Sequence, residues 1–121
     1  MKKQSFSNSE LQQISYEIKK AILIMLNYAK SGHSAGAIGL SEIFSVLYGD
    51  TLNINAKNYN SKSRDYVFLS NGHTCPVLYA TLSYFNFFDQ EELLTLRKID
   101  SRLQGHPHYN HNKKTLPGVE N

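Results

Sequence analysis

One short segment limits what this chain can fold into. Arg64-Asp65-Tyr66-Val67-Phe68-Leu69-Ser70 is the only stretch that reads convincingly as a strand. Its centre is a continuous apolar run, the mark of a strand buried on both faces, as in a parallel sheet. A strand of that kind cannot stand alone. Its backbone N–H and C=O groups need neighbours on both sides. The expectation is therefore the opening of a larger α/β domain, residues 1–121 forming one incomplete unit. The remaining strands would lie beyond residue 121 or in another chain.

The rest of the chain reads as helix and loop. Ser7-Asn8-Ser9-Glu10 forms a capping box. Leu11, Ile14, Ile18, Ala21, Ile22, Met25 and Ala29 then recur at spacings of three and four, one helical stripe. From Ala21 this helix is apolar nearly all round, which predicts cover on several sides. Ser31-Gly32-His33-Ser34 ends it, with Gly36 and Gly39 expected in the same loop. A second helix is expected from about Leu40, with Ile43, Phe44, Leu47 and Tyr48 on its inner face. Residues 56–63 read as an exposed polar loop. Asn71-Gly72-His73 turns out of the strand into a third helix, capped by Thr74 or Cys75 with Pro76 in its first turn. Asp89-Gln90-Glu91-Glu92 resembles a second capping box. Chain from Ile99 onward reads as loop. Tyr84, Phe85, Phe87 and Phe88 read as packing residues, because no basic residues interleave with them.

Composition narrows the class. Among 121 residues, 13 Lys+Arg stand against 10 Asp+Glu, a net charge of +3. That is not the clustered basic stripe of a nucleic-acid binder. The longest apolar stretch, Ala21 to Leu26, is too short to span a membrane. A single cysteine, Cys75, leaves no internal disulfide, and it reads as a small buried apolar residue. A reducing cytoplasm is the expected compartment.

Three histidines sit beside glycines. His33 is either a cap at the end of the first helix or an imidazole free to meet a substrate hydroxyl. His73 lies where the strand passes into a helix, the end of an α/β sheet at which ligands bind. A helix N-terminus beside it suits an anionic group such as a phosphate. His106 stands in Gly105-His106-Pro107, where glycine permits close approach to a ligand and proline stiffens the exit. A metal set of His106, His108 and His111 matches no zinc spacing. Lys113-Lys114 reads as a solvated pair and Glu120 as a loop carboxylate. No Walker loop, dinucleotide fingerprint or nucleophile elbow is present.

Together these pieces resemble the N-terminal, thiamine-diphosphate-binding domain of transketolases. The resemblance runs in order through Ser31-Gly32-His33-Ser34, Leu40 to Tyr48, Arg64 to His73, Leu78-Tyr79-Ala80, Glu91 to Lys98, Ser101 to Pro107 and Pro117-Gly118-Val119-Glu120. The Ser101-to-Pro107 stretch looks most like the short N-terminal subunit of split transketolases. The implied fold is a parallel sheet flanked by helices, mostly helical here with one clear strand near 65–70. The implied activity is transfer of a two-carbon ketol unit between sugar phosphates. The implied cofactors are thiamine diphosphate and Mg2+, the metal ligands lying outside this chain. By the same resemblance, His33 and His106 are catalytic and substrate-binding, and His73 is cofactor-binding. The implied partners are a second copy of the enzyme or a C-terminal transketolase subunit, with no nucleic acid and no membrane.

The chain ends before the family's Ser/Thr-Gly-rich loop and lacks its Gly-Asp-Gly motif. It has Ala35 where glycine is common, His108 where an acid is common, and an enlarged loop over residues 109–115. The expectation is a fragment inactive by itself. The alternatives are a related thiamine enzyme of the deoxyxylulose-phosphate synthase type and an inactive helical interaction fragment. The Ser101-to-Pro107 stretch favours transketolase over the synthase.

Overall fold

A computed structural model describes residues 5–108 and 115–119. The readings of residues 109–114 as an enlarged loop, of His111, of Lys113-Lys114 and of Glu120 fall outside the described residues.

The first helix forms where the capping box places it. α1 spans Asn8–Ala29. The Glu10 N–H donates to Ser7 Oγ at 3.2 Å, and the Ser7 N–H donates to the Glu10 carboxylate at 2.7 Å. These bonds satisfy two donors that a helix start leaves open. Lys30, not His33, closes the other end, in the left-handed conformation with φ 57°. Its N–H donates to the Leu26 carbonyl at 3.0 Å. The stripe of Ile14, Ile18, Ile22 and Met25 is buried as its spacing requires. Ile22 and Met25 are fully buried while Leu23 and Ile24 stay exposed, so the expected cover on several sides is met only in part among the described residues.

α2 spans Ala35–Gly39 and α3 Ser41–Val46, the latter running into a wider turn over Leu47–Thr51. This corrects the expected loop at Gly36 and Gly39. Both glycines are helical, and Leu40 is the joint between two short helices. Gly36 suits this place because a Cβ would lie 3.0 Å from the Thr74 methyl, so a larger residue would push that side chain aside.

A single-turn helix, Gly72–Thr74, leads into α4, Cys75–Tyr84. Pro76 lies in the first turn as expected, where a missing N–H breaks no helical bond. Thr74 does not cap with its side chain; its hydroxyl donates to the Asn71 carbonyl at 2.8 Å. Every residue from Cys75 to Ser83 is buried. The helix enclosed on all sides is thus α4, against which α1, α3 and the turn Gln90–Thr95 all pack. Full burial of each large side chain here stabilises by roughly 1.5–3 kcal/mol.

Asp89 forms no side-chain cap, and Gln90–Thr95 is a tight 3-10 turn instead of the expected capped start. The Glu92 carboxylate is engaged elsewhere, taking two bonds of 2.6 Å from the Arg102 guanidinium. Phe87 is buried, and Tyr84, Phe85 and Phe88 pack against the core as read.

The expected strand near 65–70 is not formed. Among the described residues no strand is present. The Asp65 N–H donates to the Asn53 carbonyl at 3.0 Å, after which no backbone–backbone bond holds residues 66–70 among the described residues. Val67 and Leu69 turn towards the body, while Tyr66 is 47% and Phe68 84% exposed. The alternation of a strand is there, but the flanking backbones a ladder requires are not.

Candidate functional site

The ends of α1 and α4 place the three histidines on one side of the molecule. His33 stands in the loop between α1 and α2, and His73 in the turn that starts α4. α2 packs against α4, which carries the two loops together. The His33 and His73 ring centroids are 5.4 Å apart, with the planes at 79°, an edge-to-face pair. Both side chains line a shallow depression whose floor includes Cys75 and Pro76, and Arg97 and Gly105 border it.

His106 lies one residue away across the backbone. Its ring rests against Gly72, where a Cβ would fall 2.6 Å from Nδ1. Glycine at 72 is therefore a requirement of this contact. His106 does not line the depression of the other two histidines. It lines a neighbouring cavity of about 340 Å³, together with Tyr48, Val67, Leu69, Leu78 and Val119. The three rings occupy adjoining hollows, with Gly72 between them. All three histidines are exposed.

At the start of α4 some backbone groups are already paired. The Thr74 N–H donates to the Asn71 carbonyl, the Cys75 N–H to the Gly72 carbonyl, and residue 76 is proline. The amides of residues 74 and 75 are thus engaged within the turn, and residue 76 has none to offer. The His73 imidazole and the Arg97 guanidinium both line the depression and are able to meet an anion.

Sequence reading missed Arg97. It has φ 63°, and its N–H donates to the Leu103 carbonyl at 2.8 Å. No local signal marks it, since its place is set by a contact six residues along the chain. Reading also took Cys75 for filler, and it is indeed buried. Its thiol, however, faces the Gly105 carbonyl at 3.1 Å, and burial pushes it up to about 11.

Among the described residues no group of three His, Cys, Asp or Glu side chains is placed to hold a metal ion. No described helix is long and apolar enough to cross a membrane. The described surface therefore offers exposed imidazoles and one guanidinium over two hollows. That set can donate hydrogen bonds to phosphate oxygens or hydroxyls.

Known proteins resemble this chain in sequence and in shape. The family model of the transketolase thiamine diphosphate binding domain matches residues 12–120. A transketolase from Aquifex aeolicus is 39% identical over 97 residues, 79% of this chain and 14% of that protein. Transketolase 1 of Vibrio cholerae is 31% identical over 113 residues, 93% of this chain and 16% of that protein. A transketolase from Pichia stipitis, solved in complex with sedoheptulose-7-phosphate, superposes with a TM-score of 0.80 at 29% identity, covering 92% of this chain and 16% of its own. The chain thus spans about one sixth to one seventh of the length of these relatives. Its fold class is the α/β class of that domain, of which the described residues contribute helices. This chain belongs to the family of transketolase thiamine diphosphate binding domains.

Proposed function

We propose that this chain supplies part of the cofactor- and substrate-facing wall of a transketolase, which moves a two-carbon ketol unit between sugar phosphates. The observation that carries the reading is the contiguity of His33, His73 and His106 across Gly72 in a chain of this family. Thiamine diphosphate, when bound, supplies the carbon–carbon bond chemistry. His73 would hold its diphosphate by donating from the imidazole, with the Arg97 cation nearby. His33 and His106 would hold sugar hydroxyls and move protons at their ring nitrogens. On His106 the nitrogen for this work is Nε2, the one farther from Gly72.

Mg2+ belongs to this reading through the diphosphate, with ligands from outside the described residues. So do a parallel sheet that takes in residues 65–70, and a dimeric assembly, either of two copies or with a C-terminal transketolase subunit. Residues 1–121 then form part of one domain of a cytoplasmic enzyme of pentose-phosphate metabolism.

The test uses the Aquifex aeolicus transketolase with its matching segment replaced by residues 12–120 of this chain. His73→Ala is expected to weaken thiamine diphosphate binding by about 10- to 100-fold, the value of a hydrogen bond to a charged group, and to change kcat less. His106→Ala is expected to lower kcat by about 100-fold or more and to change cofactor affinity less. Equal losses of cofactor affinity in the two variants would contradict these roles.

A further inference from the structure

Cys75 and Tyr79 lie four residues apart on α4 and so share one helix face. Both are buried, at 2% and 0% exposure. The Tyr79 hydroxyl donates to the Gln104 carbonyl at 2.7 Å. The Cys75 thiol donates to the Gly105 carbonyl at 3.1 Å and lies 3.6 Å from that of Gln104. Two consecutive carbonyls from far along the chain are thereby fastened to one face of the central helix. Packing alone does not ask for these donors. Phenylalanine would fill the volume of Tyr79, and alanine most of that of Cys75. Burial raises both groups, the thiol to about 11 and the phenol further, so both stay protonated and able to donate at neutral pH.

The residue thus delimited is His106. On its N-terminal side the Gln104 and Gly105 carbonyls are held. On its other side Pro107 has a fixed φ and confines the preceding residue to extended backbone. The ring that results rests on Gly72.

We propose that Cys75 and Tyr79 are positioning residues for His106: by gripping the Gln104 and Gly105 carbonyls they set its imidazole over Gly72. The use made of that position rests on the function proposed above, whereas the grip itself is a matter of geometry. Nothing in the local sequence announces it, since the partners are 25 to 30 residues apart.

The test is nuclear magnetic resonance on the full 121-residue chain labelled with 13C and 15N. The readout is the through-space cross-peak between the His106 ring and the Gly72 α protons. The cross-peak between the His33 and His73 rings serves as the internal control. Tyr79→Phe removes one oxygen and is expected to weaken the His106 cross-peak several-fold while the control persists. Cys75→Ala is expected to do the same to a smaller degree, because a thiol is the weaker donor. Cys75→Ser restores a donor and is expected to keep the cross-peak. Should Tyr79→Phe fail to fold, the Cys75 pair decides: loss in alanine with rescue in serine upholds the grip. An unchanged His106 cross-peak in the folded donor-less variants overturns it. So does a loss shared equally by the control pair, which would mean general loosening. Because this readout involves no catalysis, it stands or falls separately from the ketol-transfer assay.

Discussion

α4 and the segment 66–70 are both apolar and both adjoin the proposed site, yet they depend on their surroundings in different ways. α4 pairs its own backbone, so burial from Cys75 to Ser83 leaves only side chains to be covered. α1, α3 and the turn Gln90–Thr95 cover them. The segment 66–70 has comparable side chains, Val67, Phe68 and Leu69, but no backbone bonds among the described residues. A helix is completed locally and a strand is not. The backbone of the helical layer is paired within the layer itself, whereas that of residues 66–70 is not paired among the described residues.

Hydrogen exchange on the 121-residue chain gives the widest contrast. Amides in the second half of α4 are expected to exchange about 1,000-fold slower or more, relative to unstructured chain, because they open only with much of the fold. Amides of residues 67–69 are expected near the unprotected rate. Equal protection of the two regions would break the comparison and show that the segment already has ladder partners in solution.

Side-chain truncation sharpens the same contrast on a smaller scale. Ile18→Ala, at a core site without solvent exposure on α1, is expected to cost about 2–5 kcal/mol in urea denaturation. Phe68→Ala, at a site 84% exposed, is expected to change stability by no more than about 0.5 kcal/mol. A large loss at Phe68 would mean that its ring is buried in solution against another strand or another copy.

These differences also explain what could be read in advance. α1 was legible because its cap and stripe are local: Ser7 meets Glu10, and Ile14, Ile18, Ile22 and Met25 fall on one face. α4 was legible from Pro76. The strand read from the continuous apolar run is not present among the described residues, because apolar content is a local property while a ladder is not. Gly36 and Gly39 were read as loop from propensity, but both are helical; the closeness of α2 to Thr74 favours glycine at 36, and nothing nearby explains glycine at 39. Glu92 was read as a capping group, but Arg102, ten residues on, claims its carboxylate. The three histidines stood out through their glycine neighbours. That His33 and His73 form a ring pair while His106 lies over Gly72 could not be read, nor could the Cys75 and Tyr79 contacts. Each depends on loops brought together by helix packing.

The smallest expected effect tests whether the helical layer is held by charge as well as by burial. The Lys19 ammonium on α1 donates to the Glu42 carboxylate on α3, joining two helices that already share the core. This contact holds the Glu42 carboxyl below its ordinary value of 4.5, with the Lys19 hydrogen bond as the main cause. A carboxylate that is easier to ionise in the folded chain than in the unfolded one adds stability above its unfolded value. That stability fades as pH falls through the lower folded one. Because both groups are solvated, screening keeps the contribution within about 0.5 kcal/mol. Glu42→Gln is therefore expected to cost a few tenths of a kcal/mol at neutral pH in low salt, about the resolution of careful paired urea curves. The cost should shrink in high salt and vanish once both forms of the carboxyl are protonated. A penalty independent of pH and salt would mean that Glu42 acts through shape, so that the α1–α3 contact owes nothing to charge.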